Sequence, residues 1–118
     1  MTIVVDRRKV EIEPSGIIYA EAMDRKVVLH MQDRHITFYH RMSDLEKEVG
    51  EGFLRCHRSF LVNLDQMDHM EETDIIMKTG DNIPVPRQNR RYVRSLFAEC
   101  QRERGKGISD KKTTAISA

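Results

Sequence analysis

Residues 53–64 carry side chains that could bind an anion or transfer a proton. Two apolar runs, which begin at Phe53 and Phe60, enclose a polar segment made of Arg55, Cys56, His57, Arg58 and Ser59. This segment contains no Gly, Pro or Asp, so we expect an extended or slightly bent backbone that sends alternate side chains to opposite faces. The two arginines would then leave the strand in different directions. The alternative is a solvated strand edge in which His57 has its hydrogen bonds satisfied inside the fold. For any one of these residues this alternative is an equally good explanation.

Nucleophilic catalysis by Ser59 would need a base and an orienting group. His57 is the one candidate base nearby in sequence, and alternation places it two residues away on the same strand face instead of in a built triad. The chain has no Gly-x-Ser-x-Gly, no His-Glu-x-x-His and no glycine-rich phosphate loop. We therefore expect no enzyme and no catalytic residue.

Five histidines and two cysteines are candidate metal ligands. On regular strands His35 and His40 point to opposite faces, as do Cys56 and His57, so neither pair chelates a metal without a bend. Cys56 and Cys100 are too far apart in sequence for a metal-binding motif and are typical of reduced, partly buried thiols. We expect no metal site and no cofactor.

A second cationic cluster opens the clearest helical pattern in the chain. Apolar residues recur at helical spacing, and four arginines gather on the other side: Val93, Leu96, Phe97 and Cys100 against Arg87, Arg90, Arg91 and Arg94. The helix dipole disfavours cations at this end by roughly 0.3–1 kcal/mol each, so stability alone would not select them. Because residues 87–94 contain no acid, a polyanion is the simplest partner that explains these arginines. The alternative is that the arginines pair with acids elsewhere in the chain or on a partner protein.

The charge of the whole chain is unevenly distributed. Residues 1–86 carry 11 Lys or Arg and 16 Asp or Glu, a net charge of −5, whereas residues 87–118 carry 9 and 3, a net charge of +6. With 118 residues the chain is large enough for one domain with a modest core. No apolar run approaches the roughly 18 residues of a membrane span, and the N-terminus has no signal peptide, so we expect a cytoplasmic protein without a membrane partner.

The rest of the sequence predicts a mostly β domain of nine or ten short strands. Arg7 and Arg8 are expected to form the first tight connection, and the Ser43 and Glu46 pair predicts a capping box at the start of one short helix. The basic C-terminal helix follows an edge strand, because prolines at positions 84 and 86 remove backbone donors. We expect a domain at residues 1–104 and a flexible tail at residues 105–118, which has no periodicity.

Three segments resemble the LytTR DNA-binding domain of bacterial response regulators. They are residues 17–21 (Ile-Ile-Tyr-Ala-Glu), 53–63 (Phe-Leu-Arg-Cys-His-Arg-Ser-Phe-Leu-Val-Asn) and 83–87 (Ile-Pro-Val-Pro-Arg), within a likeness that covers roughly residues 3–100. The resemblance implies an elongated β-β-β arrangement of small antiparallel sheets with one short helix and a C-terminal helix. It also implies binding of promoter DNA through loops in successive major grooves. Because aromatic residues are scarce, duplex DNA is favoured over single-stranded RNA as the ligand. The sequence shows no helix-turn-helix or zinc finger, so we do not expect an inserted recognition helix.

The resemblance implies DNA contacts in three places: the loop at residues 23–26, the hinge at residues 57–59 and the start of the last helix. The residues concerned are Asp24, Arg25, Lys26, His57, Arg58, Ser59, Arg87, Gln88, Arg90 and Arg91. Arg58 and Arg87 are suited to bond a guanine edge, with Arg25, Lys26, Ser59, Arg90 and Arg91 on phosphates. His57 either contacts the DNA backbone or only braces the hinge.

Two departures from the family pattern alter these implied contacts. Pro86 stands where family members commonly have Ser before the arginine, which removes a side-chain cap and changes how Arg87 is presented. Asp24 would be repelled by phosphate but could accept from a cytosine amine.

The family also implies partners beyond the promoter. A LytTR domain usually follows a phosphorylated receiver domain served by a sensor histidine kinase, and this chain contains no receiver, so it is expected to be an excised module or a small stand-alone regulator. Paired repeats imply two copies on DNA. The alternative function is a protein-interaction module that uses the basic helix on an acidic partner.

Overall fold

The computed structural model describes residues 1–106, and the side chains of residues 1–99. Within that range ten strands and two helices follow one another: β1 (Thr2–Val5), β2 (Arg8–Glu11), β3 (Ile17–Met23), β4 (Lys26–Met31), β5 (His35–Tyr39), α1 (Met42–Val49), β6 (Phe53–His57), β7 (Phe60–Asn63), β8 (Met67–Met70), β9 (Asp74–Met77), β10 (Asn82–Pro84) and α2 (Arg87–Lys106). The predicted mostly β class is confirmed.

The strands form three antiparallel sheets. β1 pairs with β2, β10-β9-β8 form a three-stranded sheet, and β5-β4-β3-β7-β6 form a five-stranded sheet. The domain is elongated, with extents of 45 × 33 × 24 Å. β10 lies at the edge of its sheet, as the prolines at positions 84 and 86 predict.

Two hydrophobic clusters lie on opposite faces of the five-stranded sheet. The first cluster packs β1, β2 and α1 on one face and includes Ile3, Leu29 and Leu45. The second cluster packs β8, β9, β10 and α2 on the other and includes Ile75 and Val93, both fully buried. Burial of such large aliphatic side chains is the main stabilising contribution to a domain of this size.

The central strand β3 belongs to both clusters. Ile17 and Ala20 enter the first cluster, whereas the consecutive side chains Ile18 and Tyr19 enter the second. A register shift between Ile17 and Tyr19 against β4 explains this, because a bulge turns two neighbouring side chains to the same face.

The extended backbone predicted for residues 55–59 is found as far as His57, the end of β6, and is wrong at Arg58 and Ser59. β6 and β7 form an antiparallel hairpin in which His57 pairs with Phe60, and Arg58 and Ser59 are its two-residue turn. A register shift between Arg55 and His57 marks a bulge at Cys56. The simple alternation of side chains predicted for this segment therefore does not apply.

Two local predictions are also wrong. The first hairpin turns at Asp6 and Arg7, both with positive φ, and β2 already begins at Arg8. Helix α1 begins one residue before Ser43, its N-cap is Arg41, and no side chain caps it. The predicted capping box is therefore absent at this helix, which ends at Gly50 with φ of 76°.

The C-terminal helix is longer than the sequence indicates. α2 continues through Lys106, two residues into the segment predicted as a tail. Residues 107–118 of that predicted tail, and the side chain of Cys100, lie outside the described residues. Within the described part, no helix is long and apolar enough to cross a membrane.

Candidate functional site

The β6–β7 turn is held by side chains of its own first strand. Arg55 donates from Nη2 to the carbonyl of Arg58 at 2.6 Å and from Nε to the same oxygen at 3.2 Å. The backbone N–H of Ser59 donates to Nδ1 of His57 at 2.9 Å. The side chain of Arg58 is exposed and has no hydrogen bond or ion pair to another described residue. The turn is therefore fixed while the side chain at its tip is available to a ligand.

Arg55 and His57 reach this turn from opposite faces of the sheet. Arg55 lies on the side of α1, where its Nη1 meets Oε1 of Glu46 at 3.1 Å. The ring of His57 meets Phe60 edge to face at 5.4 Å on the side of the second cluster. The sequence predicts both on one face, with His57 opposite Cys56. The bulge at Cys56 reverses that arrangement.

The β3–β4 turn presents three of the predicted site residues. Met23 pairs with Lys26, which leaves Asp24 and Arg25 as a two-residue turn, and Asp24 has φ of 63°. The ammonium of Lys26 lies 5.0 Å from the ring centroid of Tyr39, a cation–π contact that restrains it. All three predicted residues of this turn are exposed.

One hydrogen bond joins the two turns. The backbone N–H of Ala22 donates to the carbonyl of Ser59 at 2.8 Å, which extends the β3–β7 pairing up to both turns. Between them lies an open groove of about 780 Å³. Its charged lining residues are Asp24, Arg25, Lys26, Arg41, Arg55 and Arg58. The groove therefore combines five cations with a single carboxylate, which favours an anionic ligand.

The start of α2 lies beside the same hairpin but on its other side. Asn89 donates from Nδ2 to the carbonyl of Cys56 at 3.2 Å. Cys56 is 1% exposed within the second cluster, and burial raises the pKa of its thiol to about 12. The predicted contacts of α2 and those of the groove therefore flank the hairpin and do not form one patch.

The arginines of α2 differ in what they contact. Arg90 donates from Nε to the carbonyl of Val85 at 2.9 Å, and Arg94 from Nη2 to the carbonyl of Glu72 at 2.6 Å. The side chains of the other predicted residues of this helix are exposed and have no hydrogen bond or ion pair to another described residue; these are Arg87, Gln88 and Arg91. Part of the basic helical face is thus engaged in attaching α2 to the three-stranded sheet.

The sequence prediction missed two cations of the groove, Arg41 and Arg55. Arg55 lies inside the motif that carries the resemblance, so its position near the turn was available from the sequence. Arg41 gives no such signal, because only the folded β5–α1 connection brings it to the groove. Among the described residues, no three His, Cys, Asp or Glu side chains converge as metal ligands would.

Comparison with known proteins gives consistent matches. Residues 7–98 match the family described as LytTr DNA-binding domain. The sensory transduction protein LytT of Bacillus subtilis (strain 168) is 29% identical over 92 residues, which are 73% of this chain and 38% of the relative. The accessory gene regulator protein A of Staphylococcus epidermidis is 27% identical over 77 residues, 62% of this chain and 32% of the relative.

The fold comparison covers nearly the same part of the chain. A solved LytTr DNA-binding domain from a Bacillus cereus response regulator matches with a TM-score of 0.68 and 25% identity, covering 80% of this chain and 93% of the other. The two curated relatives are much longer than the matched region, since the chain spans only 38% and 32% of their lengths.

Proposed function

The chain belongs to the LytTR DNA-binding domain family, and from this we propose that it binds double-stranded DNA in a sequence-specific manner as part of a transcriptional regulator. The observation that carries the proposal is the pair of neighbouring turns, joined through Ala22 and Ser59, that present Arg25, Lys26 and Arg58 to solvent around one groove. Exposed cations on two neighbouring turns at one end of the sheet suit contact with duplex DNA, whose phosphates are regularly spaced anions.

In this proposal turns read the DNA, because the two helices of the described residues pack into the hydrophobic clusters, α1 into the first and α2 into the second. Arg58 bonds a guanine edge from the β6–β7 turn, and Arg87 bonds another from the start of α2. Arg25, Lys26 and Arg91 bind phosphates and fix the register. The position of α2 on the other side of the hairpin supports readout in successive major grooves. By the family resemblance, we also propose that two copies bind paired promoter repeats.

The proposed setting is a two-component system of the bacterial cytoplasm. The curated relatives are named as a sensory transduction protein and an accessory gene regulator, and the chain matches only a part of each. A receiver domain and a sensor histidine kinase are the proposed partners of the full regulator. The family is one of DNA-binding domains and not of enzymes, and no catalytic role is proposed.

The test is a selection of bound duplexes from a random library at near-physiological salt. Wild type, Arg58→Ala and Arg87→Ala are compared, with Lys47→Ala as a control because Lys47 is an exposed cation of α1 outside the groove lining. We expect a short repeated motif, and relaxed preference at a different base position in each arginine variant, by about 1–3 kcal/mol.

Absence of any motif would contradict sequence-specific binding. If both arginine variants then lost only salt-sensitive affinity, the cations would form a general anion surface. That outcome would favour an acidic protein as the partner of the basic helix.

A further inference from the structure

The peptide unit between Arg58 and Ser59 has both of its polar atoms bonded by side chains. Its carbonyl accepts from the guanidinium of Arg55 at 2.6 Å and 3.2 Å, and its N–H donates to Nδ1 of His57 at 2.9 Å. The two side chains approach from opposite faces of the hairpin. A peptide at the tip of a hairpin is ordinarily held by water and is free to rotate, so this arrangement restrains a motion that the turn would otherwise have.

The conformation of the turn explains why a restraint is needed. Two-residue hairpins favour turns with positive φ, which match the twist of the strands. Neither Arg58 nor Ser59 has positive φ, so the hairpin uses a turn that splays its strands, together with the bulge at Cys56. Rotation of the central peptide would require positive φ at Ser59 and would change ψ of Arg58, the backbone torsion next to the Cα atom from which that side chain projects.

We propose that Arg55 and His57 are positioning residues: they hold this one peptide unit and thereby fix the backbone from which Arg58 reaches its base. The inference rests on the proposed DNA-binding function and assigns to these two residues a role in readout that does not depend on their own contact with DNA. Two nitrogens of the Arg55 guanidinium, Nε and Nη2, donate to this carbonyl, and the third, Nη1, donates to Glu46 and so links the guanidinium to α1.

The bond from Ser59 also fixes the protonation of the imidazole. A backbone N–H can only donate, so Nδ1 of His57 must carry no proton, and the ring proton of the neutral form lies on Nε2. His57 therefore holds the turn as the Nε2–H tautomer. This tautomer is a property of the free protein and can be measured without DNA.

Conservative variants of His57 and Arg55 distinguish a positioning role from effects of side-chain charge or side-chain volume. His57→Asn keeps an acceptor at the position of Nδ1, whereas His57→Gln moves the polar group to the position of Nε2. Arg55→Lys keeps the charge but loses the two-nitrogen contact with the carbonyl. Thermal unfolding of each variant shows whether it is folded. Arg34→Lys is the matched control, because Arg34 is an exposed arginine outside the groove lining.

The measured quantity is the ratio of affinities for the selected duplex and for a random duplex. We expect His57→Gln and Arg55→Lys to lower this ratio roughly tenfold, the size of one lost hydrogen bond to a charged or well-aligned group. His57→Asn should restore it to within roughly threefold of wild type, while binding to random duplex stays unchanged in all variants. Long-range ¹⁵N NMR of the free protein should show the Nε2–H tautomer.

The outcomes distinguish the two proposals. A wild type that prefers no duplex overturns the proposed function and, with it, the role in readout. A wild type that discriminates, together with His57→Gln and Arg55→Lys variants that discriminate equally well, overturns the positioning role alone. An Nδ1–H tautomer in the free protein overturns it as well.

Discussion

The side-chain amide of Asn63 donates a hydrogen bond of 2.9 Å to the backbone carbonyl of Ile17. The bond lies just beyond Tyr19 and Val62, where the pairing of β3 with β7 ends. The oxygen of the same amide accepts from the backbone N–H of Asp65 at 3.0 Å. Asn63 is 5% exposed, so this side chain satisfies two backbone groups that water reaches poorly.

Replacement of Asn63 by Ala should lower the free energy of unfolding by about 1–3 kcal/mol, because the carbonyl of Ile17 loses its donor in a buried place. Asn63→Asp is the informative companion: it keeps an acceptor for Asp65 but brings a charge beside a carbonyl, and we expect a larger loss. Urea denaturation followed by circular dichroism measures both. An Asn63→Ala variant as stable as wild type would contradict the structural role.

Arg90 and Arg91 are neighbours whose side chains differ in what they contact, since Arg90 bonds the carbonyl of Val85 and Arg91 is exposed. Arg90→Ala should lower the free energy of unfolding by about 1 kcal/mol, because the carbonyl of Val85 loses its bond at the start of α2. Arg91→Ala should change stability by less than about 0.5 kcal/mol but reduce the slope of log affinity against log salt by about one. Denaturation and salt-dependent DNA binding test the pair. Equal effects of the two variants in both measurements would refute the distinction.

Asp24 is explained by the conformation of the β3–β4 turn, since Asp tolerates positive φ better than most residues. Asp24→Asn keeps that tolerance and removes the charge, so we expect unchanged stability and tighter binding to every duplex. Asp24→Ala should lose about 1 kcal/mol of stability. Fluorescence anisotropy with several duplexes is the measurement. If Asp24→Asn instead lost preference at one base pair, Asp24 would contact a cytosine.

His69 contacts two carboxylates, Oδ2 of Asp68 and Oε2 of Glu71, each at 2.7 Å. The hydrogen bond to Asp68, and next that to Glu71, raises the pKa of His69 above its usual 6.5. Because the folded pKa is the higher one, the stabilisation is complete below the unfolded pKa and is lost as pH rises through the folded pKa.

An NMR titration of the His69 ring should therefore show a midpoint above 6.5. Asp68→Asn and Glu71→Gln should each lower the midpoint, the first at least as much as the second. Glu72→Gln is the control, because the ring of His69 is bonded to Asp68 and Glu71 and not to the carboxylate of Glu72, so the midpoint should stay nearly unchanged. A midpoint at or below 6.5 in wild type would contradict the bonded arrangement.

Much of the fold follows from local sequence signals. The predicted nine or ten short strands, the edge strand at the prolines and the basic C-terminal helix are all present. The β6–β7 turn could not be predicted, because residues 55–59 contain no Gly, Pro or Asp to mark a turn. The conformation of the turn depends on bonds from Arg55 and His57, which exist only once the hairpin has formed.

The site was predictable in part for a related reason. Helical spacing places Arg87, Arg90, Arg91 and Arg94 on one face of α2, but it does not show which of them find a partner. The partners of Arg90 and Arg94 are the backbone carbonyls of Val85 and Glu72. Backbone carbonyls carry no sequence signal, so only the folded chain separates the exposed arginines from the engaged ones.

Strand β3 contributes side chains to both hydrophobic clusters, and this determines how the domain unfolds. Ile17 and Ala20 on one face and Ile18 and Tyr19 on the other leave solvent together whenever β3 detaches. Neither cluster can then persist as a separate folding unit, although each lies under its own sheet and helix. The described domain should therefore unfold in a single cooperative transition, with the β3 amides among the last to exchange with deuterium.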